Sequence, residues 1–140
     1  MSASVLALPR CTVNRLLEVA QAHPGVEVCG FVVRAGDSCA VRSVSNVAGD
    51  PARRFEMDPA GMIDAFRHER EDGEEIVAIY HSHPSGPSLP SALDRELAYY
   101  PELPYLVISL GTRGVLELRA FRLGDGECEE MPLVLEETLD

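Results

Sequence analysis

The sequence predicts an α/β protein with a mixed central β-sheet flanked by helices, and three observations carry that expectation. Short β-rich apolar runs alternate with segments of helical period. Residues 75–80 hold a near-continuous apolar run, Ile76-Val77-Ala78-Ile79, which suits a strand buried on both faces at the centre of a sheet. Turn signals between the other strands allow antiparallel meanders, while at least one helix lies between two strands, so the sheet is mixed.

The elements follow in order. Residues 1–10 form an initial strand or arm through Val5, Leu6 and Leu8, stopped by Pro9. Thr12 is a plausible N-cap, and Val13, Leu16, Leu17 and Ala20 recur at helical spacing, so a helix is expected over 12–22. His23-Pro24-Gly25 ends it. A strand is expected from Val26 to Ala35, a turn at Gly36-Asp37, and a returning strand from Ala40 to Val47. Arg54-Phe55-Glu56-Met57 alternates polar and apolar, the pattern of a short strand. Asp58-Pro59 starts a helix, Asp as cap and Pro at the first helical position, with Met62, Ile63 and Phe66 on one face. The buried strand 75–80 comes next, then a loop from Pro84 to Pro90. A helix starts at Ser91 and reaches Tyr99 or Tyr100; strands are expected over 103–110, 114–123 and 127–135, with a turn at Gly124-Asp125-Gly126.

At 140 residues, 46% hydrophobic and 25% charged, the chain is expected to be one domain, 1–140, large enough to bury a core. No apolar run is long enough to span a bilayer. The stretch Met1 to Pro9 lacks a basic n-region, so no signal peptide is expected and the expected location is cytoplasmic. The net charge of −11 repels phosphate backbones, which makes nucleic acid an unsuitable partner. The acidic C-terminal segment serves solubility or meets a basic protein. All twelve Lys-plus-Arg residues are arginine, so no lysine side chain is open to conjugation. Cys11, Cys29, Cys39 and Cys128 form no C-x-x-C pair, so neither a thiolate zinc site nor a disulfide framework is expected.

The chemistry concentrates in His81-Ser82-His83 and Ser91-Ala92-Leu93-Asp94. In a strand, residues i and i+2 share a side, so His81 and His83 present two imidazoles together. At a helix start, i and i+3 share a face, so Ser91 and Asp94 are displayed one turn apart. Two His and one Asp suit a catalytic zinc with one position open for water. Such a site also needs a carboxylate that is not a ligand, and a donor for the oxyanion. Ser91 could be the donor, and Glu27, at the head of an apolar strand, the base. Against this stands a plainer reading: Ser91-x-x-Asp94 is also the signature of a capping box. Spacing alone leaves both readings open and does not single out Glu27 among the acids. His23, before a turn, and His68, among charged residues, are expected to lie outside any site.

The ordered set Glu27, His81-Ser82-His83, seven residues, Ser91, two residues, Asp94 resembles the motif of the JAMM (MPN-plus) metalloproteases, with every position filled. Glu27-Val28-Cys29-Gly30 and Arg54-Phe55-Glu56-Met57-Asp58-Pro59 resemble the family's glutamate segment and its entry into a helix, and the likeness runs from about residue 10 to about 123. The resemblance implies a cytidine-deaminase-like mixed sheet. It implies one catalytic Zn2+ held by His81, His83 and Asp94, Glu27 as general acid/base, and Ser91 as oxyanion stabiliser. It further implies cleavage of an amide or isopeptide bond at or near the C-terminal Gly-Gly of a ubiquitin-like or sulfur-carrier protein. The short spans between Phe55 and His81 and beyond Asp94 resemble the compact prokaryotic members. A narrow groove that favours glycine is expected beside the metal. Two other classes remain as alternatives: a non-cleaving module that binds ubiquitin-like tails, and a small-molecule zinc hydrolase. The lack of paired cysteines speaks against a nucleobase deaminase. The oligomeric state is left open, a homodimer among the options.

Overall fold

The computed structural model describes residues 5–98, 100–112, 115–124 and 127–137. The chain opens with strand β1 (Leu6–Pro9) and helix α1 (Arg10–Ala22). Pro9 occupies the N-cap position of α1 and makes no side-chain cap bond. Thr12, expected as the cap, instead lies buried in the first turn of α1, and its Oγ1 has no partner. The helix begins earlier because proline, with its fixed φ, suits a helix entry without supplying a cap of its own.

The hairpin β2 (Cys29–Ala35) and β3 (Ser38–Val44) turns at Gly36-Asp37, with Ala35 opposite Ser38. The stretch expected as a strand at 54–57 is extended but pairs only at Met57, in an isolated bridge to Asn46. Helix α2 (Pro59–Asp72) starts as expected, the Asp58 carboxylate accepting from Ala60 N at 3.2 Å. It ends at Gly73, whose φ of 73° is left-handed and suits glycine. Ile63 is 69% exposed, so the packed side of α2 is formed by Met62, Ala65 and Phe66 instead.

Strand β4 (Glu75–His83) runs three residues beyond the expected end, into the histidine pair itself. Helix α3 (Ala92–Glu96) is much shorter than expected, and Tyr99 lies outside the described residues. Strands β5 (Tyr105–Thr112) and β6 (Val115–Gly124) follow; Gly114 and the turn residues Asp125 and Gly126 lie outside the described residues. The last expected strand is two: β7 (Glu127–Met131) and β8 (Leu133–Glu136). Pro132 separates them, having no N–H to give to a ladder, while its carbonyl accepts from Leu6 N at 2.9 Å.

The main sheet has the order β3-β2-β4-β5-β6-β7, and β1 pairs with β8 in a second, two-stranded sheet. β4 and β5 are parallel; every other neighbour pair of the main sheet is antiparallel. This is the mixed sheet with flanking helices that the sequence predicts. One face packs under α1, β1 and β8 through Leu8, Leu16, Val32, Tyr80, Leu106 and Ile108. The other packs under α2 through Phe31, Val33, Ile79, Val107 and Phe121.

β4 sits between β2 and β5, and its count matters. Val32 pairs with Ala78 but Val33 pairs with Ile76, so Val77 is the extra residue of a β-bulge. Beyond it the alternation is regular: Ile79 faces the α2 side and Tyr80 the α1 side. Tyr80 is fully buried, and Gly30 makes room for it: a Cβ there would lie 2.1 Å from the Arg42 carbonyl and 2.8 Å from the Tyr80 ring.

Candidate metal centre

His81 and His83 continue the β4 alternation, so both rings leave on the α2 side with Ile79, while Ser82 points the other way. Cys29 stands opposite His81 across the β2–β4 pair. The pairing continues past the end of β2, where Ser82 N donates to Val28 O at 3.0 Å and Ser82 Oγ accepts from Val28 N at 2.9 Å. Glu27, two residues before Cys29, is thereby carried across from His83. The third segment arrives through the loop after β4 and the first turn of α3. Glu27, His81, His83 and Asp94 are all buried, and one ligand atom from each lies within 4.8 Å of the others. Four of the five residues named from the sequence thus converge on one spot.

Ser91 and Asp94 satisfy the plainer reading as well. Ser91 Oγ accepts from Asp94 N at 3.0 Å and Asp94 Oδ2 accepts from Ser91 N at 2.8 Å, a complete capping box. The same Oδ2 lies 2.9 Å from His81 Nε2 and 3.1 Å from His83 Nε2. One carboxylate oxygen therefore closes the helix cap and completes the three-atom set. Ser91 itself is exposed at the rim. Its Oγ is already an acceptor, which leaves its hydrogen free to be given outward.

The donor set fits a metal ion. His83 Nδ1 lies 2.9 Å from the Pro87 carbonyl, which can only accept, so Nδ1 carries a hydrogen, and on deprotonation it is Nε2 that offers a lone pair to an ion. The two Nε2 atoms are 3.2 Å apart. Those three separations match the edge of about 3.3 Å between ligands of a tetrahedral ion with bonds of about 2.0–2.1 Å. Glu27 Oε1 and His81 Nδ1 are buried without a partner, two of the three such side-chain atoms among the described residues.

The electrostatics follow the same arrangement. Burial pushes the Glu27 carboxyl up from 4.5 to about 7; the His83 charge works against this and the Asp94 charge with it. Burial would also raise Asp94, but hydrogen bonds from His81, His83 and the Ser91 backbone outweigh it and hold the carboxyl far below its ordinary range. Burial would lower His83, yet hydrogen bonds to Asp94 and to the Pro87 carbonyl leave it raised. The neighbouring Cys29 thiol is pushed up to about 12 by burial, so it stays protonated as a core residue. His23 caps α1 and His68 pairs with Asp64 and Asp72 on α2, both outside the site as expected.

Two contributors escaped the sequence reading. Phe55 stacks on His81, ring centroids 4.5 Å apart and 22° between planes. The Pro87 carbonyl fixes His83. Main-chain acceptors carry no residue-type signal; Phe55 had one, an aromatic in an alternating stretch, but nothing in that pattern says what it covers. Beside the ligand set lies a cavity of about 460 Å³ with His81 and Asp94 in its wall, lined further by Phe55, Met57, Met62, Leu97, Tyr100 and Tyr105. On that side the lining is mostly apolar.

Comparison with known proteins agrees with this geometry. The family described as prokaryotic homologs of the JAB domain matches residues 9–124. The chain belongs to this family. It is 41% identical over 97 residues to a desampylase of Haloferax volcanii, covering 66% of this chain and 68% of that one. It is 31% identical over 134 residues to the CysO-cysteine peptidase of Mycobacterium tuberculosis, covering 92% and 90%. A solution structure of a protein from Desulfitobacterium hafniense superposes with a TM-score of 0.82 at 30% identity, covering 96% of this chain and 95% of that one. The JAMM resemblance and the expected fold both hold, and the expected hydrolase agrees with relatives that are peptidases by name.

Proposed function

We propose that this chain is a zinc-dependent peptidase that hydrolyses an amide or isopeptide bond at or near the C-terminal Gly-Gly of a ubiquitin-like or sulfur-carrier protein. The observation that carries the proposal is the buried group of Glu27, His81, His83 and Asp94 with ligand atoms within 4.8 Å of one another. Relatives named a desampylase and a CysO-cysteine peptidase support the substrate class.

His81, His83 and Asp94 would hold the ion. Bound there, it supplies a Lewis acid and lowers the pKa of water toward about 7. Glu27 is the base that takes a proton from the attacking water and later gives it to the leaving amine. Its burial and its unpartnered Oε1 suit that exchange, because no fixed hydrogen bond has to be broken at that atom. The Ser91 hydroxyl donates to the oxyanion as the carbonyl carbon becomes tetrahedral. Phe55 holds the His81 ring in plane from one side. The apolar cavity takes a large apolar side chain of the tail close to the scissile bond.

The surrounding expectations stand in the same proposal. Residues 1–140 act as one domain, and the net charge of −11 argues against nucleic acid as partner. Four free cysteines suit a reducing, cytoplasmic setting. Among the described residues no helix is long and apolar enough to cross a membrane. The test is incubation of the zinc-loaded protein with the host's ubiquitin-like carriers, as conjugates and as C-terminal adducts, followed by intact mass. Loss of the attached group by wild type, with zinc retained and cleavage lost in Glu27→Gln, is expected. Tail binding without cleavage by wild type would favour the non-cleaving module, and an equally active Glu27→Gln would remove Glu27 from its role.

A further inference from the structure

Glu27 lies outside the ladder that fixes its neighbours, since β2 begins at Cys29. Its backbone is nevertheless held at both polar atoms. Glu27 N donates to Pro51 O at 2.7 Å, and Glu27 O accepts from Asn46 Nδ2 at 2.9 Å. Asn46 does more than this. Its Nδ2 also donates to Arg54 O at 3.0 Å, while its Oδ1 accepts from Ala48 N and from Glu56 N, each at 3.0 Å. Two N–H groups and two lone pairs are the whole capacity of an amide side chain, and all four are used. Two of the partners, Arg54 O and Glu56 N, flank Phe55, which stacks on His81, and a third is the main-chain carbonyl of Glu27, the residue whose carboxylate joins the buried group. Backbone bonds extend the brace, from Val47 N to Glu56 O at 2.8 Å and from Asp58 N to Ser45 O at 2.9 Å.

We propose that Asn46 is a positioning residue: its side-chain amide ties the Glu27 carbonyl to the Arg54 and Glu56 backbone, so that the base and the aromatic cover of His81 are set by one group. It touches neither substrate nor metal. The inference rests on the peptidase reading for its kinetic consequence but not for its geometric one. The four bonds need a side chain with two N–H donors and a carbonyl oxygen, which is an amide. Aspartate keeps the two acceptor bonds and loses both donors, turning an oxygen toward the Glu27 and Arg54 carbonyls. Alanine loses all four.

The experiment compares Asn46→Asp and Asn46→Ala with wild type and with Met131→Ala. The last is a core truncation on the α1 face, which lowers stability without touching the brace. Zinc content, kcat and KM on a cleavable carrier conjugate, and crystal structures of the zinc-loaded proteins are measured. Both Asn46 variants are expected to keep one zinc per chain and a KM within about threefold of wild type, while kcat falls about 10- to 100-fold, the cost of displacing a reacting group by roughly 1 Å. The crystal structures should show the Glu27 carboxylate and the Phe55 ring displaced. Met131→Ala should melt at a lower temperature and keep its kcat.

Three results would overturn the assignment: an unmoved Glu27 and an unchanged kcat in folded Asn46→Ala, loss of zinc in either folded variant, or failure of both variants to fold. If wild type cleaves no carrier tail, the peptidase reading fails instead. The crystal structures then decide alone: displaced Glu27 and Phe55 uphold the brace, and unmoved ones refute it.

Discussion

The two faces of the central sheet are built to different ends. The face under α1 and the β1–β8 pair is sealed, with Leu8, Leu16, Tyr80, Leu106 and Ile108 each fully buried or nearly so. The face under α2 is looser. α2 has one buried residue, Ala65, where α1 has four, and a cavity of about 460 Å³ remains beside His81 and Asp94. One strand serves both: along His81-Ser82-His83, the histidines face the open side while Ser82 is locked to Val28 on the other. The contrast shows where packing has been given up. Close packing specifies the scaffold, and the side left incompletely filled carries the buried polar groups that the proposed chemistry requires.

The sharpest way to break that contrast is to damage each face in turn. On the sealed side, Leu106→Ala is expected to cost about 2–5 kcal/mol of stability by leaving a cavity, while zinc stoichiometry stays unchanged in whatever remains folded. Chemical denaturation and metal analysis on one sample check both halves. A variant that lost zinc without losing stability would abolish the distinction.

On the open side, the charge of Glu27 acts against folding when no metal is bound. Its carboxyl sits at about 7 in the folded protein against an ordinary 4.5, so between those values the folded protein holds a proton the unfolded chain has released. Stability of the metal-free protein from this group therefore falls as pH rises from about 4.5 to 7. Glu27→Gln removes the effect. In the metal-free state it should be the more stable protein at pH 8, by on the order of 2–3 kcal/mol, with the difference gone near pH 4. Melting curves at the two pH values give the answer, and a constant offset would contradict it.

Asp94→Ala probes the junction of scaffold and site. Loss of the capping interaction should cost about 1 kcal/mol, and zinc binding should be lost altogether, as seen by titration calorimetry. The smallest effect belongs to an exposed pair on the outside of the α1 layer. Arg10→Ala breaks the exposed pair with Glu137, whose nearest approach is 2.8 Å, and should shift stability by about 0–1 kcal/mol. A larger change in a salt-dependent melt would show that the C-terminal segment matters more than its exposure implies.

Much of this arrangement was legible beforehand because it rests on local periodicity. The continuous apolar run of β4 announced a central strand, Asp58-Pro59 announced α2, and the i, i+2 and i, i+3 spacings announced which histidines and acid could meet. A capping box and a convergence of donor atoms looked like rival readings of Ser91 and Asp94, yet Asp94 Oδ2 serves the cap while lying beside both His81 and His83, since a carboxylate oxygen can accept from several donors at once. What stayed hidden depends on tertiary contact. α1 starts at Arg10 and not after Thr12, since the entry is made by Pro9 and Thr12 is buried within the first turn. The 54–57 segment follows strand alternation but forms just an isolated bridge, from Met57 to Asn46. The final strand is cut by Pro132 into pieces that join different sheets. The link from Glu27 to its site needed the β2–β4 register, which no single stretch of sequence contains.

The bulge at Val77 has a consequence for how this chain can vary in length. β4 holds one residue more than β2 requires between Val33 and Val32. Deletion of Val77 alone closes the bulge and leaves every later pair, from Ala78 opposite Val32 to His81 opposite Cys29, in its place. A second deletion has no slack left to draw on and would turn both imidazoles to the sealed side. The strand thus carries a one-residue tolerance immediately upstream of its least tolerant positions.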